Sequence, residues 1–150
     1  MRSARGAAWL RTILAVAVLA AVLAYLRDPP WVGAITSGLR AWRQDAEGTR
    51  FRWTNGHATF YVPAAAASMT LPLRAGVTRP QGAATVTVLV DGRWVGARRL
   101  EDPGQWESLT VPLDRQPATR RFRRVEVRVD EVAVEGNLGV QLGEVALAGR

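Results

Sequence analysis

The feature that most constrains this chain is a period-two alternation of apolar and polar residues that begins at Thr49 and continues to the C-terminus. It is clearest over 124–130, where three valines alternate with charged residues. Such alternation predicts strands with one buried and one solvated face, because successive side chains of a strand point to opposite faces. About eight such segments, separated by turn residues, predict an all-β fold, an antiparallel jelly-roll-like β-sandwich over 49–150.

Two pairs of turn residues predict β-hairpins within this domain. Asn55-Gly56 and Asp91-Gly92 each lie between β-rich segments, and both pairs suit the positive φ angles of a type I′ turn. In the second hairpin, the turn places Trp94 on the face opposite the preceding valines and Val95 on the valine face. Pro72 interrupts another alternating segment and predicts an edge strand, since proline cannot donate to a ladder.

The N-terminus adds an apolar run over 13–26, which arginines precede and which no acidic residue interrupts before Asp28. The wider segment 7–26 supplies the roughly 20 apolar positions that a membrane-spanning helix needs, provided that Arg11 extends toward the headgroups. We therefore expect 1–27 to be an N-terminal transmembrane helix that anchors the chain in the lipid bilayer.

Aromatic residues near both ends of this segment fit a membrane interface, namely Trp9, Tyr25 and Trp31. The basic start predicts a cytoplasmic N-terminus and an extracytoplasmic C-terminal domain in a single-pass protein of the cytoplasmic membrane. A cleavable signal peptide is the alternative, because the apolar run also has a suitable length and Ala24 or Ala34 could end it.

The segment 28–48 shows helical spacing. Its apolar residues recur at spacings of four, four and three, which places them on one face of a helix. They are Trp31, Ile35, Leu39 and Trp42. We expect a short amphipathic helix that lies along the outer membrane surface, with Trp31 and Trp42 at the interface. A linker helix packed on the following domain is the alternative.

Composition excludes several classes of function. The net charge is +7, but all 20 basic residues are arginine and four of them lie in 1–27, which leaves +3 for the rest of the chain. That balance does not predict a nucleic-acid partner. The absence of cysteine and the single histidine exclude a disulfide scaffold, thiolate metal sites and a multi-histidine metal site. No cofactor is expected.

No set of catalytic residues is apparent. His57 follows a predicted turn and has no nearby nucleophile in a recognisable motif. The carboxylate pairs Glu101-Asp102 and Asp130-Glu131 are adjacent in sequence, so on a strand their side chains would point to opposite faces. An envelope hydrolase that uses carboxylates from distant strands is the least favoured alternative.

Tryptophans and arginines are the candidate ligand-binding residues. Trp94 and Trp106 could stack on the apolar faces of sugar rings, although large aromatic side chains more often pack in a core. Arg121 and Arg123 belong to the densest basic cluster, over 120–128. This cluster predicts either a patch that binds anions or a solvated strand face with acidic cross-strand partners.

Several segments in order carry a family resemblance. They are Arg50 to Thr54, Ala58 to Pro63, Leu71 to Ala75, Val90 to Gly92, Trp106 to Leu113, Arg123 to Val125 and Leu138 to Val145. Their order resembles the extracytoplasmic β-sandwich that follows the last membrane helix of some bacterial polytopic glycosyltransferase-like membrane proteins. This chain has one possible span and no catalytic membrane domain, so the resemblance implies an accessory module and transfers no catalytic residue.

The sequence thus predicts a non-catalytic, membrane-anchored β-sandwich that acts as a binding or assembly module in the bacterial cell envelope. Its expected partners are the bilayer and a membrane glycosyltransferase or an envelope glycan. A carbohydrate-binding module in its own right is the alternative.

Overall fold

A computed structural model describes residues 3–76, 83–113, 120–130, 132 and 138–149 of the chain. It consists of two compact units, Met1–Val32 and Gly33–Arg150. Each unit is described separately below.

The first unit is a single long helix followed by a turn. Helix α1 spans Ser3–Arg27, and a 3-10 helix spans Pro30–Ala34. In the described part of the chain, one segment, Trp9–Ala34, is long and apolar enough to cross a membrane, with a mean hydropathy of 2.1. A signal sequence would meet the same criteria.

The second unit is an antiparallel β-sandwich. Its strands are β1 (Ser37–Leu39), β2 (Arg43–Gln44), β3 (Arg50–Pro63), β4 (Ser68–Arg74), β5 (Ala84–Val90), β6 (Arg93–Leu100), β7 (Glu107–Pro112), β8 (Phe122–Val129), β9 (Gln141–Gly143) and β10 (Ala146–Ala148). The predicted fold class is confirmed, with ten strands among the described residues instead of about eight.

The strands form two sheets that share β3. Sheet A has the order β1-β3-β8-β5-β6. Sheet B has the order β2-β3-β9-β4-β7, with β10 beside β4 on the same side as β9. The first half of β3 pairs in sheet B and the second half in sheet A.

The core lies between the sheets and comes mainly from alternate residues of the longer strands. Its fully buried members include Val86, Val88, Val125, Val127, Met69, Leu71, Leu73 and Val140. Each strand of the core therefore leaves its other set of side chains on an outer face, as the alternation predicted.

The predicted amphipathic helix over 28–48 is absent. A 3-10 helix and the short strands β1 and β2 occupy this segment. Gly38, in β1, adopts a φ of +66°, and a Cβ there would overlap the backbone carbonyl of His57. The helical spacing of apolar residues is therefore coincidental, because close pairing with β3 determines the backbone here.

The hairpin predicted at Asn55-Gly56 is also wrong. Strand β3 continues through both residues, and Gly56 takes a φ of +85° within the strand. Ala58 and Phe60, in the second half of the strand, belong to the core between the sheets. Phe51 and Trp53, in the first half, pair with Gly143 and Gln141 on the face of sheet B that also carries Arg74. The strand passes from sheet B to sheet A between Trp53 and His57.

The hairpin predicted at Asp91-Gly92 is confirmed. Both residues have positive φ, 52° and 79°, and Trp94 pairs with Leu89 on the outer face of sheet A. The register shifts by one residue beyond this pair, so that Val88 pairs with Gly96. Val95 is thus the extra residue of a bulge, and it packs against the core on the side of the valines, as predicted.

Pro72 does not mark an edge strand, because β4 has neighbours on both sides. On one side, β10 pairs with β4 up to Thr70 and β9 pairs with it from Leu73. Pro72 therefore lies opposite the interruption between β9 and β10, where the ladder requires no donor.

Candidate functional site

Trp94 is the most exposed tryptophan of the sandwich. Its relative exposure is 67%, and its register partner Leu89 places it on the outer face of sheet A. The same register row continues through Glu126 of β8 to Thr59 of β3. An exposed indole thus stands at one end of a row that crosses four neighbouring strands.

Glu126 lies at the centre of a cationic cluster on this face. Its Oε1 is 2.7 Å from Nη2 of Arg124, and its Oε2 is 2.7 Å from Nη2 of Arg128. The Nε2 of His57 lies 3.3 Å from the same Oε2. The side chain of Glu126 is 7% exposed, whereas the three partners are 50–57% exposed.

The arginines keep Glu126 ionised. The hydrogen bond from Arg128 is the largest effect and lowers the pKa of Glu126, burial opposes it, and the charges of Arg124 and Arg128 lower the pKa further, so that the net shift is downward. Two guanidinium groups share one carboxylate, so the cluster carries a net positive charge. We call Trp94, Leu89, Thr59, Glu126, Arg124, Arg128 and His57 the Trp94 face.

The sequence singled out Trp94 and the basic cluster over 120–128 with acidic partners on a strand face, but it did not place the two beside each other. Arg124, Glu126 and Arg128 occur at spacings of two on β8, a spacing that places all three on one face of a strand. His57 could not have been assigned from the sequence, because its pairing with Arg128 depends on β3 running through Asn55-Gly56.

Trp106, the other tryptophan proposed for ligand stacking, packs on the outer face of sheet B. Its ring lies 4.4 Å from the guanidinium carbon of Arg74 and 6.3 Å from the ring centre of Phe51. Its indole N–H donates to Asp45 at 3.3 Å. This side chain therefore fills a packed cluster and offers no stacking platform.

Arg74 is the centre of that packed cluster. Its Nη1 lies 3.1 Å from Asp45 Oδ2, and both side chains are 12% exposed. Its Nε donates to Gln141 Oε1 at 2.6 Å, and Phe51 lies beneath the guanidinium at 5.5 Å. We call Arg74, Asp45, Gln141, Phe51 and Trp106 the Arg74 cluster. It attaches the segment after β2 and the segment before β7 to sheet B.

The two arginines proposed for ligand binding lie apart from the Trp94 face. Arg121 is exposed before β8, and its carbonyl accepts the N–H of Ala64 at 2.8 Å. Arg123 points to the core side, with a side-chain exposure of 1%, and its Nη1 lies 3.8 Å from Asp91 Oδ2. Arg123 is therefore not a surface contact for a ligand.

The residues proposed for a membrane interface divide between the two units. Trp9, Arg11 and Tyr25 are exposed on α1, and Trp31 is exposed in the 3-10 helix. Trp42 belongs to the sandwich, where the guanidinium carbons of Arg50 and Arg52 lie 4.9 and 5.5 Å from its ring centre.

Trp42 also lines a cavity of about 210 Å³ with Thr36, Leu39, Arg52, Phe60 and Leu142. The Arg52 side chain donates to the carbonyl oxygens of Arg40 at 2.6 Å and Leu39 at 3.3 Å. These hydrogen bonds engage the Arg52 side chain with the backbone at the end of β1. The rest of the lining is mainly apolar, so this cavity is less suited to a polar ligand than the Trp94 face.

The carboxylate doublets do not form a catalytic pair among the described residues. Asp130 accepts the backbone N–H of Thr85 at 2.9 Å, and Glu131 lies outside the described residues. Glu101 and Asp102 are exposed after β6. Within the described part of the chain, no group of three His, Asp or Glu residues is placed to hold a metal ion.

No protein-family model and no curated protein matches this chain. Among solved structures it is similar to a family 35 carbohydrate-binding module from an environmental isolate, with a TM-score of 0.48, 16% identity and coverage of 75% of this chain and 88% of that one. It is also similar to the C-terminal domain of EclA, a sugar-binding protein, with a TM-score of 0.49, 18% identity and coverage of 82% and 94%.

A third similar structure is the CBM51 module from Clostridium perfringens GH95 in complex with methyl-galactose, with a TM-score of 0.43, 11% identity and coverage of 71% and 79%. All these TM-scores lie below 0.5 and the identities below 25%, so the similarities say nothing about what this chain binds.

Proposed function

We propose that this protein is a non-catalytic carbohydrate-binding module of the cell envelope that binds glycans on the Trp94 face. The observation that carries the proposal is the position of Trp94, an indole that is 67% exposed on the outer face of sheet A. Trp53 is buried and Trp106 is packed against Arg74, so neither offers the exposed ring that Trp94 does.

The chemistry around Trp94 suits a sugar better than a purely apolar partner. A sugar ring has apolar C–H faces, which stack on an aromatic ring, and hydroxyl groups on its edge. Leu89 extends the apolar surface beside Trp94, and the half-exposed Arg124, Arg128 and His57 supply hydrogen-bond donors. Both halves of the required chemistry therefore lie on one sheet face.

We further propose that α1 anchors the module in the cytoplasmic membrane, with the sandwich outside. The length and hydropathy of Trp9–Ala34 support this proposal, as do the arginines that precede the apolar run. An accessory role beside a membrane glycosyltransferase, which the family resemblance implies, is compatible with this arrangement and is a separate proposal.

The test is glycan binding by the full chain in lipid nanodiscs, measured by affinity electrophoresis and calorimetry against neutral and acidic polysaccharides. Trp94→Ala should weaken binding about tenfold or more, which corresponds to about 1.4 kcal/mol. Leu147→Ala is the matched control, because Leu147 is also exposed, at 43%, but lies on β10 of sheet B. Equal binding by the wild type and Trp94→Ala would overturn the proposed site.

A further inference from the structure

We infer that the Trp94 face selects acidic glycans, those that carry a carboxylate on the sugar, and that Arg124 and Arg128 bind this carboxylate. The inference rests on the proposed function, because it specifies the ligand class of the same face.

The first reason is the way in which Glu126 orients the two arginines. Each guanidinium reaches Glu126 through its Nη2 at 2.7 Å, whereas an arginine side chain has five N–H donors. The two side chains are 50% and 54% exposed. Glu126 thus holds one nitrogen of each guanidinium group, while about half of each arginine side chain remains accessible to solvent.

The second reason is charge. Glu126 is nearly buried and each of its oxygens already accepts a hydrogen bond from an arginine, so it does not repel a ligand as an exposed carboxylate would. Two arginines against one glutamate leave an excess of one positive charge before His57 is counted. A neutral glycan would gain little from this excess, whereas a carboxylate pairs well with a planar guanidinium group.

The third reason is spacing. Arg124 and Arg128 lie two residues on either side of Glu126, so their Cα atoms are each about 7 Å from that of Glu126 along β8. Strand β6, which carries Trp94, lies two strand spacings from β8, about 10 Å away. A glycan stacked on Trp94 can therefore extend across Leu89 and present an adjacent sugar to the arginines.

The experiment compares charged polymers with the same polymers after their charge is removed. The probes are polygalacturonate, alginate and hyaluronan, each in the acid form and as the methyl ester, titrated into the full chain in nanodiscs of uncharged lipid. We expect an acid form to bind about tenfold more tightly than its ester, and this preference to decrease between low and high salt, since salt screens exposed charges.

Variants test whether Arg124 and Arg128 cause the preference for the acid form over the ester. Arg124→Gln and Arg128→Gln should each weaken binding of the acid form more than binding of the ester and so reduce the acid-over-ester ratio, because only the acid form loses a charged partner. Arg43→Gln, on the exposed strand β2 of sheet B, is the matched control and should leave the ratio unchanged. Thermal midpoints of all variants establish that they fold.

The two proposals fail in different ways. Equal binding of acid and ester forms, or an unchanged ratio in both arginine variants, would overturn the acidic-glycan inference while the proposed function stands. Binding of none of these polymers would also overturn the inference, and if no neutral polysaccharide bound either, the result would contradict the proposed function itself.

Discussion

Glu126 shows how one residue can organise a surface. It occupies the centre of the outer face of sheet A and contacts Arg124, Arg128 and His57. A carboxylate with this little exposure is stable only when it is paired and hydrogen-bonded. The cluster is therefore both a stabilising unit and the positively charged part of the candidate site.

The lowered pKa of Glu126 predicts a pH dependence of stability. A carboxyl group whose pKa is lower in the folded state than its usual 4.5 stabilises the fold above 4.5 and loses this contribution as pH falls through the folded value. The thermal midpoint should thus fall more steeply below pH 4.5 in the wild type than in Glu126→Gln. Parallel pH profiles of the two proteins would contradict this assignment.

Arg74 is the corresponding residue on sheet B. Burial alone would raise the pKa of Asp45, but hydrogen bonds from Thr49 and Trp106 and the charge of Arg74 lower it. Arg74→Met should lower the thermal midpoint by several degrees, because the half-buried Asp45, which follows β2, loses its charged partner. Arg43→Met, an exposed position, is the control and should change it little. A decrease of equal size in both variants would contradict the structural role of Arg74.

At the scale of the element, β3 explains why part of the fold escaped prediction. A two-residue hairpin at Asn55-Gly56 requires positive φ at the turn, and a continuous strand in which Gly56 takes a φ of +85° uses the same freedom of glycine. The local sequence is equally compatible with both. The choice depends on β8 and β9, which pair with the two halves of β3 across 59 to 92 residues of sequence.

Other elements were predictable because their signals are local. The hairpin at Asp91-Gly92 follows from two residues that tolerate positive φ between alternating segments. The prediction of a helix over 28–48 was wrong because the apolar spacing fits a helix, whereas the segment pairs with β3, a partner that its local spacing does not reveal. For the same reason the sequence indicated Trp94 as a candidate but could not separate it from Trp106.

Gly56 provides a test of the continuous β3. In Gly56→Ala the alanine would have to adopt a φ of +85°, and its Cβ would lie only 2.5 Å from Cγ2 of Val132. The matched control is Gly92→Ala, where φ is +79° and no atom lies within 4 Å of the new Cβ. We expect Gly92→Ala to cost about 1 kcal/mol of unfolding free energy from backbone strain and Gly56→Ala to cost clearly more. Equal losses in urea denaturation would contradict the close packing of Gly56 against Val132.

At the scale of the whole molecule, the absence of cysteine allows a direct test of the proposed membrane topology. A single cysteine at Ala46, which is exposed in the sandwich unit, should react with a membrane-impermeant maleimide in spheroplasts. A cysteine at Ser3 should react only after permeabilisation. The opposite pattern would contradict the topology, and a chain released without its first residues would indicate a cleaved signal peptide.

The central claim is that glycans bind on the Trp94 face, and the most direct measurement is an NMR titration of the six tryptophan indole N–H groups of the full chain. An acidic polysaccharide that binds in calorimetry is the titrant, and Trp94→Phe assigns the signal. We predict that the Trp94 indole signal shifts or broadens while those of Trp53 and Trp106 remain unchanged. A titration in which Trp42 responds and Trp94 does not would contradict the account and move the site to the cavity beside Arg52.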